Sequence, residues 1–399
     1  MHTQTSLIKA YNLLYIILFF LNISQTISDL HFTYPYAITL KNSGNIFIIH
    51  KTGVTICDPS YSSIIKNVTT FSESEEISDP NTLSKVTISQ FDDGYIVSVI
   101  INNVYIFDID GELEFTGPGL FTPNCPDDIY YTLTAHKKDG RYYYYLLGFI
   151  FNNLLYLRYY KYDSIEKSYI IDKTKYEYKD KYYYDDGSYT QYEIANKGLS
   201  CLVMTYNSRD IITCTYYMER SSSNKYFTLA FFYLDDINNG YANEHYSWDN
   251  IKCIKSALGP YKSIALYCLY KASGDSNCIF FDYDIKQTIY YSTFPKKCIN
   301  NYYSLKVNYY PETEEFAFSC LTTDGGIMFS FYNKTLDYLN RVYKLIECEQ
   351  IYGYSLIYST SKEKYYIISD AKCNGLESSY VQLIDDIIEY EEEEEKEEE

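Results

Sequence analysis

Turn-forming residues return along this chain at a nearly constant interval, and that interval restricts the possible folds more than any other feature. One series, Gly44, Asp93, Asp139, Ser208, Pro260, Glu312 and Thr360, advances by about 50 residues at a time, with a single longer step between Asp139 and Ser208. A second series, Gly53, Asn103, Asn153, Ser222, Gly274, Gly325 and Gly375, trails the first by about one strand. A third, Asp58, Asp110, Asp163, Asp235, Asp284, Asn333 and Asp385, closes the apolar run that follows. The long step falls between the third and fourth members of all three series, so one insertion of roughly 20 residues explains every irregularity. Seven copies of one unit remain.

Each unit reads as strands. Runs such as Ala37 to Leu40, Ile46 to His50 and Val54 to Cys57, then Lys85 to Gln90, Tyr95 to Ile101 and Val104 to Phe107, are rich in Ile, Val, Tyr and Phe and are bounded by Gly, Asn, Asp or Ser. That is the pattern of successive hairpins. No sustained helical period with caps interrupts them, so the expected class is all-β. A four-stranded antiparallel sheet cannot bury both faces alone, whereas seven packed radially hide them against their neighbours and leave only short edges. The ring, expected over residues 29–388, is one domain. The seventh unit lacks a good outer strand, and Leu30 to Thr33 alternates apolar and polar residues ahead of the first unit. That segment is expected to pair as the missing strand and close the ring.

Residues 1–28 read as a secretory signal: Lys9 near the front, an apolar run from Leu13 to Leu21, and Thr26 and Ser28 placed for cleavage before Asp29. The apolar run is shorter than the roughly 20 residues of a spanning helix, and the mature chain holds no other apolar stretch of that length. The expected location is therefore outside the cell, secreted or displayed on its surface. All 11 cysteines follow the signal, where disulfides are the default. Eight keep the repeat: Cys201, Cys253, Cys298 and Cys348 open the last four units, and Cys214, Cys268, Cys320 and Cys373 sit on the second strands of those units. The midpoints of three pairs fall in predicted hairpin turns, so the partners face across antiparallel strands; the pair Cys298 with Cys320 needs a bulge or offset. Metal binding would need closely spaced Cys or His ligands, and no CxxC occurs. No metal or other cofactor is implied. Cys57, Cys125 and Cys278 are left over, with Cys57 to Cys125 the one pairing considered.

The formal charge of −19 disfavours nucleic acid, whose phosphates need a basic surface. Much of that charge is local, since residues 389–399 hold nine Glu and one Lys, a run expected to form a solvated, disordered tail. Tyrosine is extreme at 52 residues. Most of it is expected to pack strands with the hydroxyl at the rim. The insertion, about residues 170–190, carries KTKYEYKDKYYYDDGSY with a turn at Asp186 and Gly187, and reads as an outer hairpin. Its Tyr176, Tyr178, Tyr182, Tyr183 and Tyr184 are the candidate binding residues, because tyrosine gives large contact area at small entropic cost; a merely decorative loop is the alternative.

Enzymatic motifs are missing: there is no HExxH, GxSxG, phosphate loop or GxGxxG, so no catalytic residue is assigned. Paired carboxylates at Asp92 and Asp93, Asp108 and Asp110, Asp185 and Asp186, and Asp282 and Asp284 fall at predicted turns, where Asp bonds its own backbone. Two sequons, Asn67-Val-Thr and Asn333-Lys-Thr, are candidate glycosylation sites, Asn333 preferred for its place on a predicted exposed turn.

In period and strand pattern, nearly the whole mature chain resembles the seven-bladed β-propellers of secreted and surface proteins. No WD dipeptide, YWTD, kelch double glycine or Asp-box is present, so the resemblance implies a fold and assigns no residues. The expected function is an interaction module for a protein or glycan partner. The alternative is a secreted hydrolase or lyase with carboxylates at one mouth of the axial channel.

Overall fold

The computed structural model describes residues 35–384 apart from several connections, the longest being 78–85 and 119–130; side chains along 174–198, 217–227 and most of 238–304 also lie outside the described set. Seven antiparallel meanders follow one another in chain order. The first holds β1 (Tyr36–Thr39), β2 (Ile46–His50), β3 (Gly53–Cys57) and β4 (Ile64–Thr70), and the second β5 (Val86–Gln90), β6 (Ile96–Ile100), β7 (Asn103–Phe107) and β8 (Leu113–Pro118). The third has β9 (Tyr131–Asp139), β10 (Tyr142–Phe151), β11 (Leu154–Asp163) and β12 (Ser168–Tyr178). The fourth adds a strand: β13 (Asp180–Tyr183), β14 (Tyr189–Tyr206), β15 (Arg209–Glu219), β16 (Lys225–Tyr233) and β17 (Tyr241–Tyr246). The fifth is β18 (Ile251–Leu258), β19 (Ser263–Tyr270), β20 (Ser276–Asp282) and β21 (Gln287–Thr293). The sixth is β22 (Leu305–Tyr310), β23 (Glu315–Leu321), β24 (Ile327–Asn333) and β25 (Tyr338–Val342), and the seventh β26 (Gln350–Ser359), β27 (Lys364–Cys373) and β28 (Leu376–Leu383). Among the described residues, the only helical piece is a 3-10 turn at Leu234–Asp236.

The protein is a β-propeller, and the punctuation read from the sequence marks its hairpins. Gly44, Glu312 and Thr360 lie between first and second strands, Asp139 ends the first strand β9, Ser208 lies between β14 and β15, and Asn153 and Gly325 lie between second and third strands. The left-handed backbone at several of these turns, including Gly44 and Asn153, is the local reason for Gly and Asn there. The insertion is taken up by longer strands in the third sheet and by a hairpin in which Tyr182 pairs with Thr190 and Tyr183 with Tyr189.

The innermost strand is the first of each sheet, except in the fourth, where it is β14. β1 packs on β26, β5 on β9, β9 on β14, β14 on β18, and β18 on β22. The other two seams are filled by apolar clusters, Leu40, Phe47 and Ile56 with Val86, Ile96 and Phe107, and Phe329 and Phe331 with Tyr354, Leu356 and Ile367. Gly111 shows how tight the first is. Its φ is +79°, and a Cβ there would stand 2.9 Å from Cδ1 of Ile56 in the neighbouring sheet.

The seam between the last and first sheets is described through β1 and β26. Ala37 N–H donates to Ser355 Oγ at 3.0 Å, Ser355 Oγ donates to Pro35 O at 3.2 Å, and Thr39 Oγ1 donates to Tyr358 O at 2.7 Å. The expected closing strand, Leu30 to Thr33, lies outside the described residues. Tyrosine placement departs from the rim expectation. Tyr143, Tyr145, Tyr159, Tyr160 and Tyr162 are all buried, because a radial array has far more seam than rim.

Candidate functional site

Innermost strands are sheet edges, and an edge leaves alternate N–H and C=O groups without ladder partners. Here hydroxyls from the adjoining strand meet several of them. Ala135 N–H donates to Ser89 Oγ at 2.9 Å, Cys201 N–H to Thr132 Oγ1 at 2.9 Å, and Thr134 Oγ1 donates to Cys201 O at 2.7 Å. The seven edges enclose an axial channel with a cavity of about 650 Å³. Its wall is a mixture of hydroxyls and phenols with Lys255 and Lys306 among them. Lys306 Nζ donates to Tyr354 O and, at 3.4 Å, to Ser355 Oγ, and lies 4.8 Å from the ring centres of both Tyr36 and Tyr354. Burial, and then the charge of Lys255, bring its pKa down to about 7. The carboxylates among the described lining residues are Asp92 and Glu312, both exposed on turns at one mouth.

A second cavity, about 280 Å³, opens where the third sheet meets the fourth. Tyr144 and Tyr159 stack there with ring centres 5.7 Å apart, among Lys137, Asp172, Lys173, Arg209, Asp210 and Asp235. Beneath the cleft runs a chain of polar contacts. Tyr159 Oη is 2.5 Å from Nδ1 of His136, and Nε2 of His136 is 3.4 Å from Oδ1 of Asp210. Asp210 also accepts from Lys137 Nζ at 2.7 Å and Thr205 Oγ1 at 2.8 Å. Burial holds the imidazole below its ordinary pKa, so the neutral ring accepts from Tyr159 and donates to Asp210. Asp210 is pushed up by burial, yet the hydrogen bonds from Lys137 and Thr205 and the charges of His136 and Lys137 bring it below the usual carboxylate range. Burial drives the Tyr159 phenol upward, the reverse of what an activated nucleophile needs, so the trio is a strut supporting Lys137 and Asp210 at the cleft wall.

The residues singled out from sequence are placed as follows. Tyr176 and Tyr178 end β12, directly after the cleft residues Asp172 and Lys173, while Tyr182 and Tyr183 lie on β13. Tyr184 lies outside the described residues. Three cysteine pairs stand at disulfide distance: Cys201 with Cys214, Cys298 with Cys320 and Cys348 with Cys373, at Cα separations of 4.1, 5.8 and 4.2 Å. Cys201 and Cys214 are direct register partners, and Cys298 precedes β22 and bridges back to Thr322, the offset that pair needed. The fourth pair departs from the facing arrangement: Cys253 lies opposite Leu269 and Cys268 opposite Ile254, one position out, after an irregularity in β18. Cys57 is a free buried thiol whose pKa burial raises to about 12, and Cys125, the partner considered for it, lies outside the described residues.

Asp108 holds its own turn by accepting from the N–H groups of Asp110 and Glu112 at 3.0 and 2.8 Å. Asp93 does more, receiving Lys138 Nζ at 2.9 Å and Tyr143 Oη at 2.8 Å from the next sheet. Asn67 stands exposed on β4, its Oδ1 accepting from Thr55 Oγ1 at 3.0 Å, whereas Asn333 is half-buried at the end of β24. Accessibility therefore reverses the expected preference. Sequence reading missed the grouping of His136, Tyr159 and Asp210, which no spacing announces because 51 residues separate Tyr159 from Asp210.

No family model and no curated protein matches this chain. Among solved structures it is similar to the Dos1 propeller, with a TM-score of 0.51 and 12% identity over 90% of this chain and 85% of the other. It is also similar to hydrazine synthase of Kuenenia stuttgartiensis, with a TM-score of 0.51 and 10% identity over 90% of this chain and 98% of the other. At such identities the likeness is one of fold.

Proposed function

We propose that this chain is a secreted or surface-displayed interaction module, and that a protein or glycan partner docks at the seam between its third and fourth sheets. The observation that carries this reading is the cleft in which stacked Tyr144 and Tyr159 lie among lysine, arginine and aspartate side chains. The half-buried Tyr144 ring, backed by the buried Tyr159, stands beside charged donors and acceptors, a setting that suits sugars and polar peptides alike. The tyrosine-dense hairpin begins a few residues downstream of the cleft residue Lys173. The signal-like leader and the cysteine pairs at disulfide distance support an oxidising route. The hydrolase or lyase alternative is weaker, since Asp92 and Glu312 stand exposed on separate turns, whereas acid and base carboxylates work as a facing pair.

The test uses the oxidised, secreted chain on a glycan array and in pull-downs from intact cells, beside a Tyr144→Ala/Arg209→Ala variant. Binding in one arm, weakened roughly tenfold by the double substitution while the melting temperature stays within a few degrees, is the expected result. A partner held equally well by the variant, or no partner in either arm, sinks the reading.

A further inference from the structure

Lys306 is a cation set into the wall of the axial channel, and among the described residues no carboxylate pairs with it. Carbonyl, hydroxyl and two aromatic faces occupy one side of the ammonium. Two of its three N–H groups are accounted for by Tyr354 O and Ser355 Oγ, which leaves one for the cavity. Lys255, on the adjoining innermost strand, adds a second positive charge to the same wall. Around them the channel offers the hydroxyls of Thr87, Ser89 and Ser200, while those of Thr132 and Thr134 are already given to Cys201 O. The net arrangement is a roomy chamber with lysines set in its wall and, among the described lining residues, its carboxylates on exposed turns at the mouth.

We infer that the axial channel is a binding site for a small oxyanion, a phosphate- or carboxylate-bearing molecule, with Lys306 as its principal charge and Lys255 as its second. This site is separate from the rim cleft and stands or falls independently of it. In a partly buried setting a charge-assisted hydrogen bond is about twice as strong as a neutral one, and field lines are not screened as at the surface. The titratable groups packed around the amine are Tyr36 from β1, Lys255 from β18, Tyr310 from β22 itself and Tyr354 from β26. Burial raises all three phenols, so they stay neutral across the working range; among the described lining residues Lys255 and Lys41 carry the other positive charges, Lys41 beside Asp92 at the mouth. An anion favours protonated Lys306, so binding takes up a proton and weakens as pH rises through about 7 toward alkaline values.

The experiment measures the melting temperature and calorimetric affinity of the disulfide-intact chain at pH 6 and pH 9. The probes are inorganic phosphate and citrate, each against sodium chloride at matched ionic strength. Expected is a stabilisation by phosphate or citrate beyond that of chloride at pH 6, largely lost at pH 9. The affinity should fall roughly tenfold or more in Lys306→Gln and be retained in Lys66→Gln, a substitution on the exposed outer strand β4. Response to phosphate alone would indicate a phosphate ligand, and response to citrate alone a carboxylate one. Should Lys306→Gln not fold, reductive methylation of the native chain followed by mass spectrometry decides: the probe anion should slow labelling of Lys306 several-fold. No anion-specific stabilisation at either pH, an undiminished one in Lys306→Gln, or Lys306 labelling unaffected by the bound anion overturns the proposal.

Discussion

Tyr143 and Asp93 illustrate what single side chains do here. The phenol crosses from the third sheet to donate to a turn carboxylate of the second, and three more phenols donate across a seam to strand residues: Tyr162 to Glu114, Tyr365 to Glu315, and Tyr354 to the hydroxyl of Ser319. Each joins neighbouring sheets, so the abundance of tyrosine serves the seams. Replacing Tyr143 by Phe removes a charge-assisted bond while Asp93 keeps Lys138; the cost should be about 1–2 kcal/mol in urea unfolding, and no loss would show that the pair adds nothing. His50 tests a second residue-level claim. Thr55 Oγ1 gives its proton to Asn67, so it accepts from Nε2–H of His50 at 2.9 Å, and burial lowers the imidazole pKa to about 4. An unfolded histidine titrates near ~6.5, so this contribution is full above that value and is lost as pH falls toward 4. Between pH 7 and 4.5 the wild type should lose more stability than His50→Gln, and equal losses would contradict the assignment.

Individual hairpins carry the cysteine pattern. In the sixth and seventh sheets, the paired cysteines stand at the end remote from the hairpin turn, where two strands would otherwise splay. Peptide mapping of unreduced protein should link Cys201 with Cys214, Cys298 with Cys320 and Cys348 with Cys373. Cys253 with Cys268 should join them only if β18 slips by one position against β19. The double substitution Cys201→Ser/Cys214→Ser should cost about 3 kcal/mol, the value for a loop of this length. Much of this was legible before any coordinates, because turn midpoints and cysteine positions are both linear properties. The one-residue offset at Cys253 was not. It arises from an irregularity between Ile251 and Cys253, and β-bulges answer to packing against neighbouring sheets rather than to local composition.

Seven radial seams also make a statement about the entire molecule in alkali. Tyr143, Tyr162, Tyr310, Tyr354 and Tyr365 all have pKa values raised first by burial. A group raised in the folded state contributes stability that is full below its unfolded value, about 10 for tyrosine, and is lost as pH climbs beyond it. Phenolate absorbance should therefore rise in two phases, exposed tyrosines near pH 10 and the seam tyrosines together in one cooperative step with ring opening. A single phase near pH 10 with the far-ultraviolet spectrum unchanged would mean that the seams admit water.

Period, strand alternation and turn chemistry act over a few residues or repeat along the chain, so the number of units, their class and the hairpin positions could be read directly from the letters. What collects at the axis and at each seam could not. Lys306 meets Tyr36 across 270 positions, and His136 meets Asp210 across 74, because closing a ring juxtaposes residues according to radius and height, quantities that a linear code does not record.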